Sequence, residues 1–325
     1  MTSEETSSHH SPRAIIIALI SNLIICVMKF AVFALTGSSS MLSEAIHTTA
    51  DSGNEVLLLL GHKSSKKGAT RHHQFGYGRE RYINSFLVAL LLFVSGGLMS
   101  LYEGYSKITS TATHVSHFGI YVSLGVIVFS FFFEGYSLYV AAEASEMQKG
   151  KYSWFRFIKA AKNPELPVIL LENFAAVWGL LFAAVALMLE LATGDPIFDG
   201  IGSLMIGLLL VGVATLLFRE MRSLLVGESV SQLEDYKIRK ALLGTEGVDQ
   251  VMYVKTQHLG PDEILVVAKI GINPEDSGEE ITHIIDAAEE RIRGAVPACS
   301  QIFIEPDVWT AEEANEDDKP VVEPQ

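Results

Sequence analysis

One helical face in this chain carries the residue types that could do chemistry. The stretch Ser43–Gly61 reads SEAIHTTADSGNEVLLLLG, and within it Glu44, His47, Asp51, Asn54 and Glu55 recur at spacings of three and four. Such spacing stacks the five side chains as one polar stripe along a helix. The surrounding sequence is apolar, so the stripe belongs to a helix predicted to cross a membrane. Ionisable groups at membrane depth are costly and normally face a bundle interior or a water-filled path. A neutral imidazole and a carboxylate one turn apart, His47 and Asp51, can hold a borderline divalent cation such as Zn²⁺. Histidine also titrates near neutrality, and metal must displace its proton, which couples metal movement to proton counter-movement. The expectation is a face that carries a metal ion across a membrane.

A second helix supplies a partner face. The run VILLENFAAVWGLL contains Glu172 and Asn173, whereas Ala176 and Val177, one turn on, cannot coordinate anything. His47, Asp51 and Glu172 make three strong ligands, and Asn173 or water completes a tetrahedron. Glu134, in FFFEGYSLYVAAEA, is a further inward-facing acid, and Asp199 either caps a helix N-terminus or sits at an outer mouth. His72 and His73 lie in a basic connector, HHQFGYGRERY. In the C-terminal part, His258, His283, Glu305 and Asp307 are candidate regulatory metal ligands.

The elements that must position these residues follow from composition and hydropathy. The chain has 325 residues, 49% of them hydrophobic, and a net charge of −14; its mean hydropathy of +0.31 is high for a soluble protein of this size. Much of the acid lies beyond residue 225, which divides the chain into a membrane part and an acidic soluble part and argues against a nucleic-acid partner. Two cysteines, Cys26 and Cys299, are too few for a disulfide framework or a thiolate cluster. No HExxH and no G-x-S-x-G occurs, so a hydrolase within the membrane is excluded as the reading and no enzyme is expected.

Crossing a hydrocarbon core of about 30 Å takes ~20 helical residues. Six spans are predicted near 14–36, 41–61, 83–103, 117–141, 166–190 and 197–218, the first carrying a snorkelling or carboxylate-paired Lys29. The first run has no small-residue cleavage site after it, so it reads as a retained helix and not a signal peptide. Lys63, Lys66, Lys67, Arg71, Arg79 and Arg81 lie between spans two and three, and Lys149, Lys151, Arg156, Lys159 and Lys162 between four and five. The first and fifth loops lack lysine and arginine, and the third has only Lys107. Basic residues mark the cytoplasmic side, so both termini are expected there.

After Gly227 the pattern becomes helix (Val230–Gly244), strand (Val248–His258), strand (Ile264–Ile272), helix opened by the capping box Ser277/Glu280, and a short strand at Ile302–Ile304. The α-β-β-α-β order implies a two-layer domain with helices on one face of a sheet. The expected domains are a disordered tail 1–12, a six-helix membrane domain 13–226, a soluble α+β domain 227–309 and an acidic disordered tail 310–325.

Several separated stretches carry a resemblance: SEAIHTTADSGN, HHQFGYGRERY, ILLENFAAVWGLL, DPIFDGIGSLMIG, LLVGES, HLGPDEILV and IFIEPD. Over roughly residues 14–308 the chain resembles the cation diffusion facilitator family, the zinc-transporter type of metal/proton exchangers. The resemblance implies a transmembrane α-helical bundle of six helices plus a cytoplasmic ferredoxin-like domain, a homodimer, and a multi-pass protein of a membrane such as the bacterial inner membrane. It implies efflux or compartmental loading of Zn²⁺, or of Fe²⁺, Co²⁺, Ni²⁺, Mn²⁺ or Cd²⁺, in exchange for H⁺. A non-transporting metal sensor or binding relative is the alternative. Carried over by position, His47 and Asp51 fill the helix-two ligand pair. On helix five Glu172 matches, Ala176 stands in place of the family's aspartate, and Asn173 stands where an acid is common. Ala268 lies near a position where the family often has histidine in the soluble domain.

Overall fold

The computed structural model describes the backbone of residues 3–36, 39–109 and 117–308, with side chains described except those of residues 3–12, 33, 35–44, 46, 47, 117 and 118. The predicted acidic tail from residue 310 lies outside the described residues. Two compact units result, one formed by residues 1–67 and 80–222, the other by 68–79 and 223–325.

The first unit is a helical bundle. Its helices are α1 (Ser3–Thr36), α2 (Ser39–Ser65), α3 (Glu80–Leu91), α4 (Met99–Thr109), α5 (His117–Lys149), the short α6 (Trp154–Ala160), α7 (Glu165–Thr193) and α8 (Ile197–Val226). The bounds of α1 take in residues 3–12, expected from their polarity as a tail. A π-helical stretch, Leu92–Leu98 (LFVSGGL), joins α3 to α4, so the third predicted span is one continuous rod.

Among the described residues, five spans are long and apolar enough to cross a membrane: Arg13–Val32, Glu80–Thr109, Gly119–Lys149, Glu165–Thr193 and Ile197–Val226. The second predicted span, α2, is not among these five; it is 27 residues long, or about 40 Å at 1.5 Å per residue. Its polar stripe lowers its hydropathy, but it packs between α1 and α3 as part of the bundle. Large apolar side chains such as Val27, Phe132 and Leu208 point outward, as they must where the surroundings are hydrocarbon.

Small residues set the closest packing, as expected for helices in lipid. A Cβ added at Gly97 would lie 2.7 Å from Val211 Cγ2, and one at Gly104 would lie 2.8 Å from the carbonyl of Gly200, so the π stretch and α4 lie directly on α8. Gly194 closes α7 in the left-handed conformation, φ 70°, which glycine adopts without a Cβ penalty.

Unit two is built on a three-stranded sheet in the order β1 (Gln250–Gly260), β2 (Glu263–Gly271), β3 (Cys299–Asp307), antiparallel between β1 and β2 and parallel between β2 and β3. Helices α9 (Gln232–Leu243) and α10 (Gly278–Ala295) cover it. Ile238, Leu242, Val266, Ala268, Ile270, Ala288 and Ile292 form the dry layer between them. Both helices open with complete capping boxes, Ser231/Glu234 and Ser277/Glu280. The hydrogen bonds from Ser277 hold the Glu280 carboxyl below its ordinary range. The connector 68–79 belongs to this unit. Its Gly78 lies against the β1–β2 turn so closely that a Cβ there would sit 2.8 Å from the Leu259 carbonyl, and a Cβ on Gly260 would sit 2.8 Å from Gly78 Cα.

Candidate functional site

Asp51 lies on α2 among buried polar neighbours: Thr48, Ser52, Asn54 and Glu55 are all at most 7% exposed. The backbone of His47 lies one turn earlier on the same helix; its side chain is outside the described residues. Glu172 and Asn173 are both buried on α7, in a first half shaped by Pro164 and Pro167, residues suited to a helix start.

Hydrogen bonds join four helices around this interior. Asn54 Nδ2 donates to Glu172 Oε1 at 2.8 Å, linking α2 to α7. Asn173 Nδ2 donates to Ser137 Oγ at 2.9 Å, linking α7 to α5. Asn22 Nδ2 donates to Glu55 Oε1 at 2.8 Å and Lys29 Nζ to Thr48 Oγ1 at 2.8 Å, both linking α1 to α2. Lys29 is thus buried and does not snorkel. Glu134 on α5 is buried as well and senses the charges of both Asp51 and Lys29. Half-buried Asp51 and buried Glu55, Glu134 and Glu172 therefore form one electrostatically connected set of carboxyl groups in the bundle. Burying several acids together is costly unless a cation or protons compensate. Such a set attracts divalent metal ions, protons, or each in turn. Among the described residues, no three His, Cys, Asp or Glu side chains are arranged to hold a metal ion.

The candidate residues of the soluble unit are placed differently. His258 is buried near the β1–β2 turn, with Nδ1 3.4 Å from the Gly260 carbonyl. His283 is exposed on α10. Glu305 and Asp307 flank Lys269, which forms an ion pair with Asp307 and lies 3.9 Å from Glu305. Lys269 also holds the Asp307 carboxyl below the usual range. His258 pairs with Ile264 on β2 and Glu305 with Lys269. That separates them by five residues along a strand, roughly 17 Å at 3.3 Å per residue. The protomer does not bring these four together. Burial, and after it the charge of Glu234, pushes the Cys299 thiol up to about 11, so it keeps its proton and is a poor metal ligand. His72 and His73 are exposed, and His73 stacks on Tyr77 at 4.5 Å between ring centroids. Asp199 pairs with Lys107 at 2.6 Å and joins α4 to α8.

Two groupings had little local signal in the sequence. Asn22 within the first apolar run holds Glu55, which makes Glu55 a full member of the interior. A second buried cluster lies where α2 ends and α3 and α7 begin. Glu165 Oε1 accepts from Arg81 Nε at 2.7 Å and lies 3.2 Å from His62 Nδ1, while Arg81 donates from a second nitrogen to Asn163 Oδ1 at 3.0 Å. The one local signal is an acid, Glu165, set between Pro164 and Pro167.

Comparison with known proteins places this architecture. The model for the cation efflux transmembrane domain matches residues 15–226, and that for the cation efflux protein cytoplasmic domain matches residues 230–307. Metal tolerance protein C4 of Arabidopsis thaliana is 30% identical over 276 residues, covering 83% of this chain and 59% of that protein. The human proton-coupled zinc antiporter SLC30A9, mitochondrial, is 31% identical over 260 residues, covering 79% of this chain and 45% of that protein. Magnetosome protein MamM of Magnetospirillum gryphiswaldense is 23% identical over 293 residues, covering 89% and 85%. The chain spans about half the length of the first two relatives. With both of its units matched by the family's models, the chain belongs to the cation diffusion facilitator family of cation efflux proteins and is a multi-pass membrane protein.

Proposed function

We propose that the protein exports divalent transition-metal cations, zinc foremost, from the cytoplasm in exchange for protons by alternating access. His47, Asp51, Glu172 and Asn173 are the transport ligands in this reading, with water free to complete the shell. The observation that carries it is the Asn54–Glu172 hydrogen bond, which sets the α7 carboxylate directly across from the α2 face bearing Asp51. Proton exchange follows from ligand chemistry, because an imidazole or carboxyl group that takes up metal gives up its proton. Support comes also from a relative named as a proton-coupled zinc antiporter and from membership in a family of transporters, not enzymes. Loops rich in lysine and arginine support a reading with both termini in the cytoplasm. The matched cytoplasmic domain is the element through which two copies pair as a homodimer, and a bacterial inner membrane suits the whole.

The test is Zn²⁺ uptake into proteoliposomes carrying an opposing pH gradient. Uptake should require the gradient, and Asp51→Ala should abolish it. Unchanged uptake in Asp51→Ala refutes the site, whereas zinc binding without uptake in the wild-type protein identifies a non-transporting relative. A panel of Zn²⁺, Fe²⁺, Co²⁺, Ni²⁺, Mn²⁺ and Cd²⁺ fixes the cargo. His47→Asp should move preference toward harder ions.

A further inference from the structure

Several buried side-chain oxygens of the bundle make no hydrogen bond among the described residues, and two of them, on Asn54 and Glu55, are neighbours on α2 beside Glu172. Glu55 and Asn54 are each 1% exposed. Glu55 Oε1 accepts from Asn22, but Oε2 makes no hydrogen bond among the described residues. Asn54 gives its Nδ2 to Glu172, and its Oδ1 makes none. Buried carboxylate and carboxamide oxygens normally find partners, because leaving one unpaired forfeits its hydration without return. Here both orphans lie on adjacent residues of α2, beside a third oxygen group, Glu172, whose charge Glu55 senses directly.

The geometry points to a second cation position in the transport path, formed by Glu55 Oε2, Asn54 Oδ1 and the Glu172 carboxylate, one turn nearer the Ser65 end of α2 than Asp51. The inference rests on the proposed transport function and deepens it. Unlike the His47/Asp51 pair, this set has oxygen ligands alone, two carboxylates and a carboxamide. Oxygen sets suit harder divalent ions such as Mn²⁺, while imidazole favours Zn²⁺. Asn22 and Asn54 act as positioning residues, each donating one hydrogen bond that fixes a carboxylate and leaves its remaining lone pairs for the ion. Glu172 is common to both positions, so a cation moves between them by exchanging the oxygen and carboxamide partners of Glu55 and Asn54 for Asp51 and His47. Glu55 thereby supplies, from α2, a carboxylate that α7 lacks at Ala176.

Mn²⁺ is the probe, followed by loss of its free-ion electron paramagnetic resonance signal on titration into the purified full chain in detergent. Wild type should bind Mn²⁺. Glu55→Gln, nearly isosteric, should weaken Mn²⁺ binding on the order of tenfold or more, and should weaken Zn²⁺ binding less, since the imidazole remains. Equal Mn²⁺ affinity in wild type and Glu55→Gln overturns the proposal, as does an equal loss for both ions or an absence of Mn²⁺ binding in wild type. If Glu55→Gln does not yield folded protein, Asn54→Asp carries the test. It adds a carboxylate to the same oxygen set and should tighten Mn²⁺ binding, and an unchanged or weaker affinity overturns the proposal. The outcome for the broader function is read separately, because Asp51→Ala tests Zn²⁺ flux and not Mn²⁺ binding.

Discussion

The two units of this protein bury polar groups by opposite rules. In the soluble unit the layer between sheet and helices is aliphatic, and the polar residues at its helix starts are satisfied locally by capping boxes. In the bundle, Glu55, Glu134, Glu172 and Lys29 are buried near half-buried Asp51, and Glu55 Oε2 makes no hydrogen bond among the described residues. The soluble unit resembles a structure settled on stability. The bundle keeps a costly interior, which is reasonable only if something passes through it to compensate the charge. Acids in the soluble unit, Glu305 and Asp307 on the edge strand β3, are already partnered by Lys269 on the central strand β2. The difference separates carboxylates buried together among few partners from carboxylates already paired with a lysine.

The largest effect expected from that contrast is on flux. Glu172→Leu should reduce metal transport in proteoliposomes to background while the protein remains monodisperse. Glu305→Ala with Asp307→Ala should leave transport measurable, and comparable losses in both variants would erase the distinction. Next, Arg81→Ala strands the buried Glu165 and should destabilise the bundle by about 3–5 kcal/mol, read as a lower thermal unfolding midpoint of the detergent-solubilised protein. A change within error would show that the cluster is hydrated. Smaller still, Ser277→Ala removes one capping box and should cost about 1 kcal/mol, seen as a shift in the denaturant midpoint of the soluble unit and with no effect on flux.

The smallest effect is a pH dependence. Because Lys269 lowers the folded-state value of Asp307, their interaction contributes stability that is fully present above the ordinary aspartate value of about 3.9. It is lost as the pH falls to and through the lower folded value. Lys269→Met should remove this contribution at neutral pH and flatten the acid-side slope, so that variant and wild type converge at low pH, and an unchanged slope would assign the pairing no role. Partial exposure of both groups keeps the effect slight.

Much of the architecture was legible in the sequence because it is periodic or locally encoded. Apolar runs of suitable length gave the helices of the bundle, alternation and turn residues gave the strands, and Ser277 three residues before Glu280 gave a helix start that the structure contains. Of the stripe expected on α2 from spacing, Asn54 and Glu55 are buried, Asp51 is half-buried, and the side chains of Glu44 and His47 lie outside the described residues. Other features depend on residues far apart in the chain. Asn22 meets Glu55 across 33 positions, and Arg81 meets Glu165 across 84, so no local window contains either pair. Helix α6 lies in a loop whose lysines and arginines read as a simple basic connector. Its start is the small signal of Ser153, whose side chain accepts from the Arg156 amide. The π-helical turn depends on the close seat of Gly97 against Val211, a fit between two helices that one helix's sequence does not reveal.

The cluster at Glu165 has a mechanical consequence. A single oxygen, Oε1, lies within reach of both Arg81 and His62, so the ends of α2, α3 and α7 are stapled at one point. If that end of α7 swings away, it must either take the other two along as one lever or tear open an ion pair held out of water. The helix bearing Asp51 and the helix bearing Glu172 are joined by that staple. Opening at this end is thus a choice between hauling three rods together and unfastening them, and the latter demands that water reach Glu165 first.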